Sequence, residues 1–93
     1  MLALITGASS GIGRDMARYL ATKKIDLILV ARSKEELQKL QKELPVKVEI
    51  YTYDLTQKEN VYKLFEEVKD KPIDILINNA GFGSFGPFNN TKI

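Results

Sequence analysis

The sequence contains no cysteine, no histidine and no tryptophan, and only three prolines in 93 residues. Without cysteine there is no disulfide bond. The usual zinc ligands are missing, and so is the base of any catalytic triad that depends on histidine, so we expect no metal site. No apolar run reaches the length that crosses a membrane. Because Met1 directly precedes the first apolar run, we expect no signal peptide and a cytoplasmic protein with no membrane partner.

An excess of one charge sign is also lacking, since 14 basic residues stand against 12 acidic ones, for a formal net charge of +2. The lysines are interleaved with glutamates, as at Lys34, Glu35 and Glu36. This pattern is typical of a solvated helix face and not of the basic stripe that binds nucleic acid. The length and the 44% hydrophobic content predict one domain over residues 1–93.

Apolar runs of strand length alternate with segments of helical spacing. The strand-like runs are residues 2–5, 27–31, 46–51 and 73–77. Ser33 to Glu36 and Thr56 to Glu59 both have the form of a capping box and predict the starts of two helices. The order βαβαβαβ predicts an α/β fold, a Rossmann-like doubly wound parallel sheet with strand order 3-2-1-4 and three helices.

The strand patterns predict which strands lie at the edges. Residues 46–51 alternate between apolar and polar, as expected of an edge strand with one face partly covered. Residues 73–77 are nearly all apolar, as in an interior strand, although the strand order puts them at the other edge. Because natural proteins avoid a bare apolar edge, we expect a pairing partner for this strand that the chain does not encode.

A glycine-rich turn, residues 6–13 (TGASSGIG), joins the first strand to the first helix. Gly7 suits the sharp exit from the strand, Gly11 a close approach of a ligand to the backbone, and Gly13 close packing of the helix. After the turn the apolar residues take helical spacing at Ile12, Met16, Ala17, Leu20 and Ala21. Backbone N–H groups at such a helix start bind anions such as pyrophosphate; the alternative is a tight turn without a ligand.

Polar residues follow the other strands. Arg32 and Ser33 stand about 20 residues past the glycines, where dinucleotide-binding folds read the adenosine ribose. No acid is present there to accept from a free 2′-hydroxyl, and the Arg32 guanidinium suits a 2′-phosphate. Asp54 follows the third strand and is able to accept from an adenine amino group. Alternatively, Arg32 is a surface residue, Ser33 is only a helix cap, and Asp54 is a turn or cap residue.

Together the turn at residues 6–13, Arg32, Asp54 and residues 78–81 (NNAG) closely resemble the short-chain dehydrogenase/reductase family. The resemblance covers essentially the whole chain and implies the first four strands of that fold, a partial NAD(P)-binding Rossmann domain. It implies an oxidoreductase that interconverts an alcohol and a carbonyl by hydride transfer, with NADP(H) preferred over NAD(H) because of Arg32. It also implies a small-molecule alcohol or carbonyl substrate and a homo-oligomer for the full-length enzyme.

By the same resemblance each cofactor group has candidate residues. The pyrophosphate would be held by Gly7, Ser9, Ser10, Gly11, Ile12 and Gly13, the 2′-phosphate by Arg32 and Ser33, and the adenine by Asp54 and Leu55. Asn79, Ala80 and Gly81 would lie along the adenosine and toward the nicotinamide.

The catalytic Ser, Tyr and Lys of the family lie downstream of the fourth strand, and the chain ends at Ile93 before any of them. We therefore predict no catalytic residue here and no dehydrogenase activity for the 93-residue chain alone. Tyr19 and Lys23 match the Tyr-x3-Lys spacing, but they fall in the first helix. We expect Tyr19 to pack at the rim of the sheet and Lys23 to lie near the helix C-terminus.

Two other functions remain open. One is a non-catalytic module that binds NADP(H). The other is a structural fragment that associates with a second copy through its fourth strand.

Overall fold

The computed structural model describes residues 1–9 and 11–79, in which strands and helices alternate as the sequence predicts. The elements are β1 (Leu2–Thr6), α1 (Gly11–Thr22), β2 (Asp26–Ala31), α2 (Lys34–Glu43), β3 (Val48–Thr52), α3 (Lys58–Val68) and β4 (Ile75–Asn78). None of the helices in these ranges is long and apolar enough to span a bilayer.

The four strands form one parallel sheet in the order β3-β2-β1-β4. On the central strand β1, Leu4 lies opposite Ile28 of β2 and Leu76 of β4. The Rossmann-like fold class and the strand order predicted from the sequence are confirmed. Because the strands are parallel, all their carboxyl ends lie at the same edge of the sheet, and the loops that follow them meet there.

Each face of the sheet is covered by helices. Successive residues of a strand point to opposite faces, so Ile5 packs with α1 and α2 while Leu4 packs with α3. The α1–α2 face buries Ala3, Ile5, Leu27, Leu29, Ala17, Leu20, Ala21, Leu37 and Leu40. The α3 face buries Leu4, Ile28, Val30, Val61, Leu64 and Val68. Two helices therefore cover one face of the sheet and a single helix covers the other.

The first turn of α1 differs from the expected helical face. Ile12 is 71% exposed, and Gly13 is the residue buried in that turn. A Cβ on Gly13 would lie 2.3 Å from the carbonyl oxygen of Gly7 and 2.9 Å from Nδ2 of Asn79. The absence of a side chain at Gly13 therefore allows the start of α1 to lie against the residues that follow β1 and β4. This close approach turns Ile12 outward.

The predicted helix cap at Ser33 is confirmed, and the one at Thr56 is wrong. The Oγ of Ser33 accepts a hydrogen bond from the backbone N–H of Glu36 at 3.4 Å and caps α2. Thr56 does not cap α3, which begins at Lys58 with Gln57 in the cap position and no side-chain capping bond. The Thr56 side chain binds Asp54 instead, so its hydroxyl is not used by the helix.

The two edge strands differ as their sequences predict. Along β3, exposed and half-buried residues mix, and no residue of the strand is fully buried. On β4, Leu76 and Ile77 are buried, although among the described residues β4 pairs with β1 alone. Both faces of β4 are thus covered while its outer edge has no strand partner in this part of the chain.

The close packing of α1 predicts that alanine destabilises the protein at Gly13 but not at Gly11. Gly13→Ala should lower the free energy of unfolding by about 2 kcal/mol, because its methyl group would overlap a backbone carbonyl. Gly11→Ala is the matched control, since a Cβ there has no atom within 4 Å. Urea unfolding of both variants checks this, and equal stability of the two would contradict the packing.

Candidate functional site

An open cleft of about 640 Å³ lies at the carboxyl ends of the strands. It is lined by Gly7, Ser9, Val30, Ala31, Arg32, Ser33, Glu36, Tyr53, Asp54, Leu55, Thr56 and Asn79. Seven of the residues proposed from the sequence as cofactor ligands are in this set: Gly7, Ser9, Arg32, Ser33, Asp54, Leu55 and Asn79. Residues from four separate loops therefore meet in one cleft, in the size range of small-molecule and cofactor sites.

The glycine turn forms one end of the cleft. Gly7 has φ of 64°, in the left-handed region that favours glycine. Ser9, two residues later, also lines the cleft. The first turn of α1 contains no acidic residue, so nothing there opposes the positive end of the helix dipole. Gly11 and Ile12 are exposed at the helix start and do not line the cleft. Ser10 lies outside the described residues.

Hydrogen bonds join the glycine turn to the end of β4. The buried Thr6 hydroxyl donates to Oδ1 of Asn78 at 3.1 Å and accepts from the backbone N–H of Asn79 at 3.0 Å. The Asn79 side chain donates from Nδ2 to the Gly7 carbonyl at 3.4 Å. Asn79 is therefore held in the cleft wall by β1. Ala80 and Gly81, also proposed as cofactor ligands, lie outside the described residues.

The residues after β2 and the first turn of α2 bring charge of both signs to the cleft. Arg32 is exposed there, and Ser33, which caps α2, lies beside it. Glu36 lines the same wall from the first turn of α2. The guanidinium and the start of α2 favour an anion, whereas the Glu36 carboxylate opposes one.

The loop after β3 holds Asp54 firmly. Its Oδ1 accepts from the Thr56 hydroxyl at 2.6 Å and from the Thr56 backbone N–H at 3.0 Å. Its carbonyl oxygen accepts from the backbone N–H of Gln57 at 3.1 Å and from Nδ2 of Asn60 at 3.0 Å. The Thr56 hydroxyl, then the Thr56 N–H and the positive charge of Arg32 lower the pKa of the Asp54 carboxyl. Asp54 is therefore a turn residue, which the sequence offered as an alternative to a ligand. Its carboxylate also lines the cleft.

Sequence reasoning missed three polar residues of the cleft: Glu36, Tyr53 and Thr56. The sequence assigns Glu36 and Thr56 only to capping boxes, although Thr56 directly follows Leu55 and Glu36 is three residues past Ser33. Tyr53 directly precedes Asp54 and lines the cleft. Its hydroxyl donates to Oε1 of Glu67 at 2.8 Å, and Glu67 does not line the cleft. Burial and the Glu67 carboxylate raise the pKa of Tyr53, so its hydroxyl remains protonated at neutral pH.

The residues of the cleft fit a nicotinamide dinucleotide. The open helix start beside Gly7 is suited to a pyrophosphate, Arg32 to a further phosphate, and the Asp54 carboxylate to the amino group of a base. Within residues 1–9 and 11–79 there is no group of three His, Cys, Asp or Glu residues that could hold a metal ion.

The Tyr19 and Lys23 pair is not part of the cleft. Tyr19 is 56% exposed, so the prediction that it packs at the rim of the sheet is wrong. Lys23 lies just past the end of α1, as predicted, with its Nζ 5.6 Å from the centre of the Tyr19 ring. The contact is a cation–π pair at an exposed site.

Known proteins are similar to this chain in both sequence and fold. The chain is 39% identical over 85 residues to the very-long-chain 3-oxoacyl-CoA reductase of Candida glabrata, covering 85% of this chain and 24% of the reductase. A short-chain dehydrogenase from Sphingobium yanoikuyae, solved in complex with NADPH, is 41% identical with a TM-score of 0.77, covering 91% of this chain and 35% of that one.

L-sorbose reductase from Gluconobacter frateurii, complexed with NADPH and L-sorbose, is 37% identical with a TM-score of 0.75, covering 89% of this chain and 34% of that one. The chain thus spans about a quarter to a third of the length of these proteins. The family model for short chain dehydrogenases matches residues 1–93. The chain belongs to the short-chain dehydrogenase family.

Proposed function

We propose that this chain is the cofactor-binding part of an NADP(H)-dependent oxidoreductase that interconverts an alcohol and a carbonyl by hydride transfer. The observation that carries the proposal is the cleft at the carboxyl ends of the strands, which gathers the glycine turn, Arg32 and Asp54. When bound, the nicotinamide would accept or donate the hydride. The residues of this chain bind and orient the cofactor around that step.

The assignment of residues follows the chemistry along the cleft. The turn from Gly7 to Gly13 and the start of α1 hold the pyrophosphate. Asp54 accepts from the adenine amino group, with Leu55 packed beside the base. Asn79, followed by Ala80 and Gly81, lies along the adenosine and toward the nicotinamide.

The preference for NADP(H) depends on Arg32. An NAD-binding site of this fold has an acid after β2 that accepts from the 2′-hydroxyl, whereas this chain has Arg32 and Ser33. Arg32 offers a planar fork of donors to a 2′-phosphate, and Ser33 adds a hydroxyl. The S. yanoikuyae and G. frateurii structures with NADPH support the choice by similarity. The Glu36 carboxylate works against it, so the guanidinium must outweigh a nearby negative charge.

The groups that exchange a proton with the substrate come from sequence beyond the fourth strand. Tyr19 in α1 and Lys23 just past its end have the family's spacing, but neither lines the cleft. The 93-residue chain by itself therefore has no dehydrogenase activity, and measurable turnover by it would contradict this proposal. The substrate is a small alcohol or carbonyl compound, and the full enzyme is a homo-oligomer.

A second candidate function is favoured by β4. Its residues Leu76 and Ile77 are buried, yet among the described strands it pairs with β1 alone. A fragment with such an edge could pair with a second copy of itself and bind little nucleotide. A dimer that persists on dilution, together with no cofactor binding, would favour this function.

Thermal unfolding with NADP+, with NAD+ and without ligand tests the proposal. A ligand at a hundred times its Kd adds about 2.7 kcal/mol to the free energy of unfolding. For a domain of this size, that raises Tm by roughly 10–20 °C. We expect the larger shift with NADP+, for this chain and for a version extended by the downstream coding sequence. No shift with either cofactor in either protein would remove the enzyme assignment.

The variant Arg32→Asp should reverse the preference between the cofactors. An acid at this position repels the 2′-phosphate and accepts from a free 2′-hydroxyl, so we expect NADP+ to bind at least about tenfold more weakly and NAD+ to be relatively favoured. Lys39→Asp is the matched control, because it makes the same charge change on an exposed residue of α2 outside the cleft. An unchanged ratio of the two Kd values in Arg32→Asp would make Arg32 an ordinary surface residue.

The variant Gly11→Val should abolish binding of both cofactors while leaving the fold intact. A Cβ at Gly11 has no protein atom within 4 Å, and we expect the valine side chain to cover the N–H groups of the first turn of α1. Calorimetric titration measures the affinity, and circular dichroism checks the helix content. Wild-type affinity in a folded Gly11→Val protein would move the pyrophosphate away from this helix start.

A further inference from the structure

The side chain of Thr56 has a role that its place in the sequence does not predict. Thr56 looks like a helix cap, yet α3 begins two residues later without a side-chain capping bond. Its hydroxyl instead donates to Oδ1 of Asp54 at 2.6 Å, and its backbone N–H donates to the same oxygen at 3.0 Å. Both donors of Thr56 thus converge on one oxygen of one carboxylate in the cleft.

This arrangement leaves the second carboxylate oxygen available. Among the described residues, the structure gives Oδ2 of Asp54 no hydrogen-bond donor, and Asp54 and Thr56 both line the cleft. A carboxylate held only at its backbone rotates about χ1 and χ2, which spreads its acceptors over several directions. With Oδ1 held by two bonds, that rotation is restricted, and Oδ2 is presented in a defined direction.

The backbone of Asp54 is restrained as well. Its carbonyl oxygen accepts from the Gln57 N–H and from the Asn60 side chain, and the Tyr53 N–H donates to the Ala31 carbonyl at 3.1 Å. The last bond joins the loop to the end of β2. The direction of Oδ2 is thus set relative to the sheet, as a site that recognises one donor group requires.

We propose that Thr56 is a positioning residue that makes the cleft selective for a base with an exocyclic amino group, by holding Oδ1 of Asp54 so that Oδ2 accepts from that group. The inference rests on the proposed function, because it concerns the adenine end of the proposed cofactor. The lowered pKa of Asp54, whose largest cause is the Thr56 hydroxyl, keeps the acceptor ionised to lower pH.

The test compares NADP+ with its hypoxanthine analogue, in which an oxo group replaces the 6-amino group. The protein is used at the full length that its gene encodes. In the wild type we expect NADP+ to bind about tenfold or more tightly than the analogue, because a hydrogen bond to a charged acceptor is lost and an oxygen faces the carboxylate instead. Asp54→Ala should bring this ratio of Kd values close to one.

Thr56→Val removes the hydroxyl at nearly constant shape, and we expect the ratio to fall by about fivefold, since only the backbone bond to Oδ1 remains. Thr56→Ser should restore it. Thr52→Val is the matched control, because Thr52 is exposed at the end of β3 and does not line the cleft. A role of Thr56 in loop stability alone would lower Tm and weaken both ligands equally, without changing the ratio.

A second readout does not depend on ligand. In an NMR titration, the pKa of the Asp54 carboxyl should rise in Thr56→Val and stay low in Thr56→Ser, because the hydroxyl is the largest cause that lowers it. Binding of neither ligand by the wild type would contradict the proposed function itself. Tight binding with an unchanged ratio in Thr56→Val, or with no preference in the wild type, would overturn the role of Thr56 and leave the cofactor assignment standing.

Discussion

The structure depends on a hydrogen-bonded junction where β1 and β4 end. One buried hydroxyl, that of Thr6, binds both the side chain of Asn78 and the backbone of Asn79. Asn79 in turn donates to Gly7, and the carbonyl of Gly7 lies where a side chain on Gly13 would be. The junction sets the separation of the two strands at their carboxyl ends and the position of the start of α1. Because Gly7 and Asn79 also line the cleft, the fold and the candidate site share these two residues.

The cleft is a consequence of topology and of charge placement. Parallel strands bring every carboxyl end to one edge, so loops distant in sequence meet without any designed contact between them. The side chains that line the cleft differ in sign: Arg32 is positive, and Glu36 and Asp54 are negative. A ligand with a phosphate at one point and a base amino group at another satisfies both signs. A simple anion would satisfy only the first.

Much of the fold could be predicted because each element has a strong local signal. The apolar runs of β1 and β2 are too regular to be loops, and Ser33 caps α2 as its sequence form indicates. The failures occur where another contact competed with the helical pattern, a tertiary one beside Ile12 and a local one at Thr56. Ile12 fits the helical face by spacing, but the contact of Gly13 with Gly7 turns it outward. Thr56 has the form of a cap, but its hydroxyl donates to the Asp54 carboxylate, and among the described residues no helix N–H donates to its side chain.

The sequence by itself determined the strand order, the glycine turn and the identity of most polar groups that follow the strands, since these depend on residue type and on the handedness of the chain. Only the tertiary structure decided which of those groups share a cleft and how they are held. Asp54 and Arg32 are separated by a helix and a strand in the sequence, and their proximity follows from the parallel pairing of β2 with β3. The bonds from Thr56 to Asp54 follow from the geometry of the loop after β3, and Glu36 reaches the same cleft from the first turn of α2. Local sequence does not encode that geometry, because the same residues serve equally well as caps.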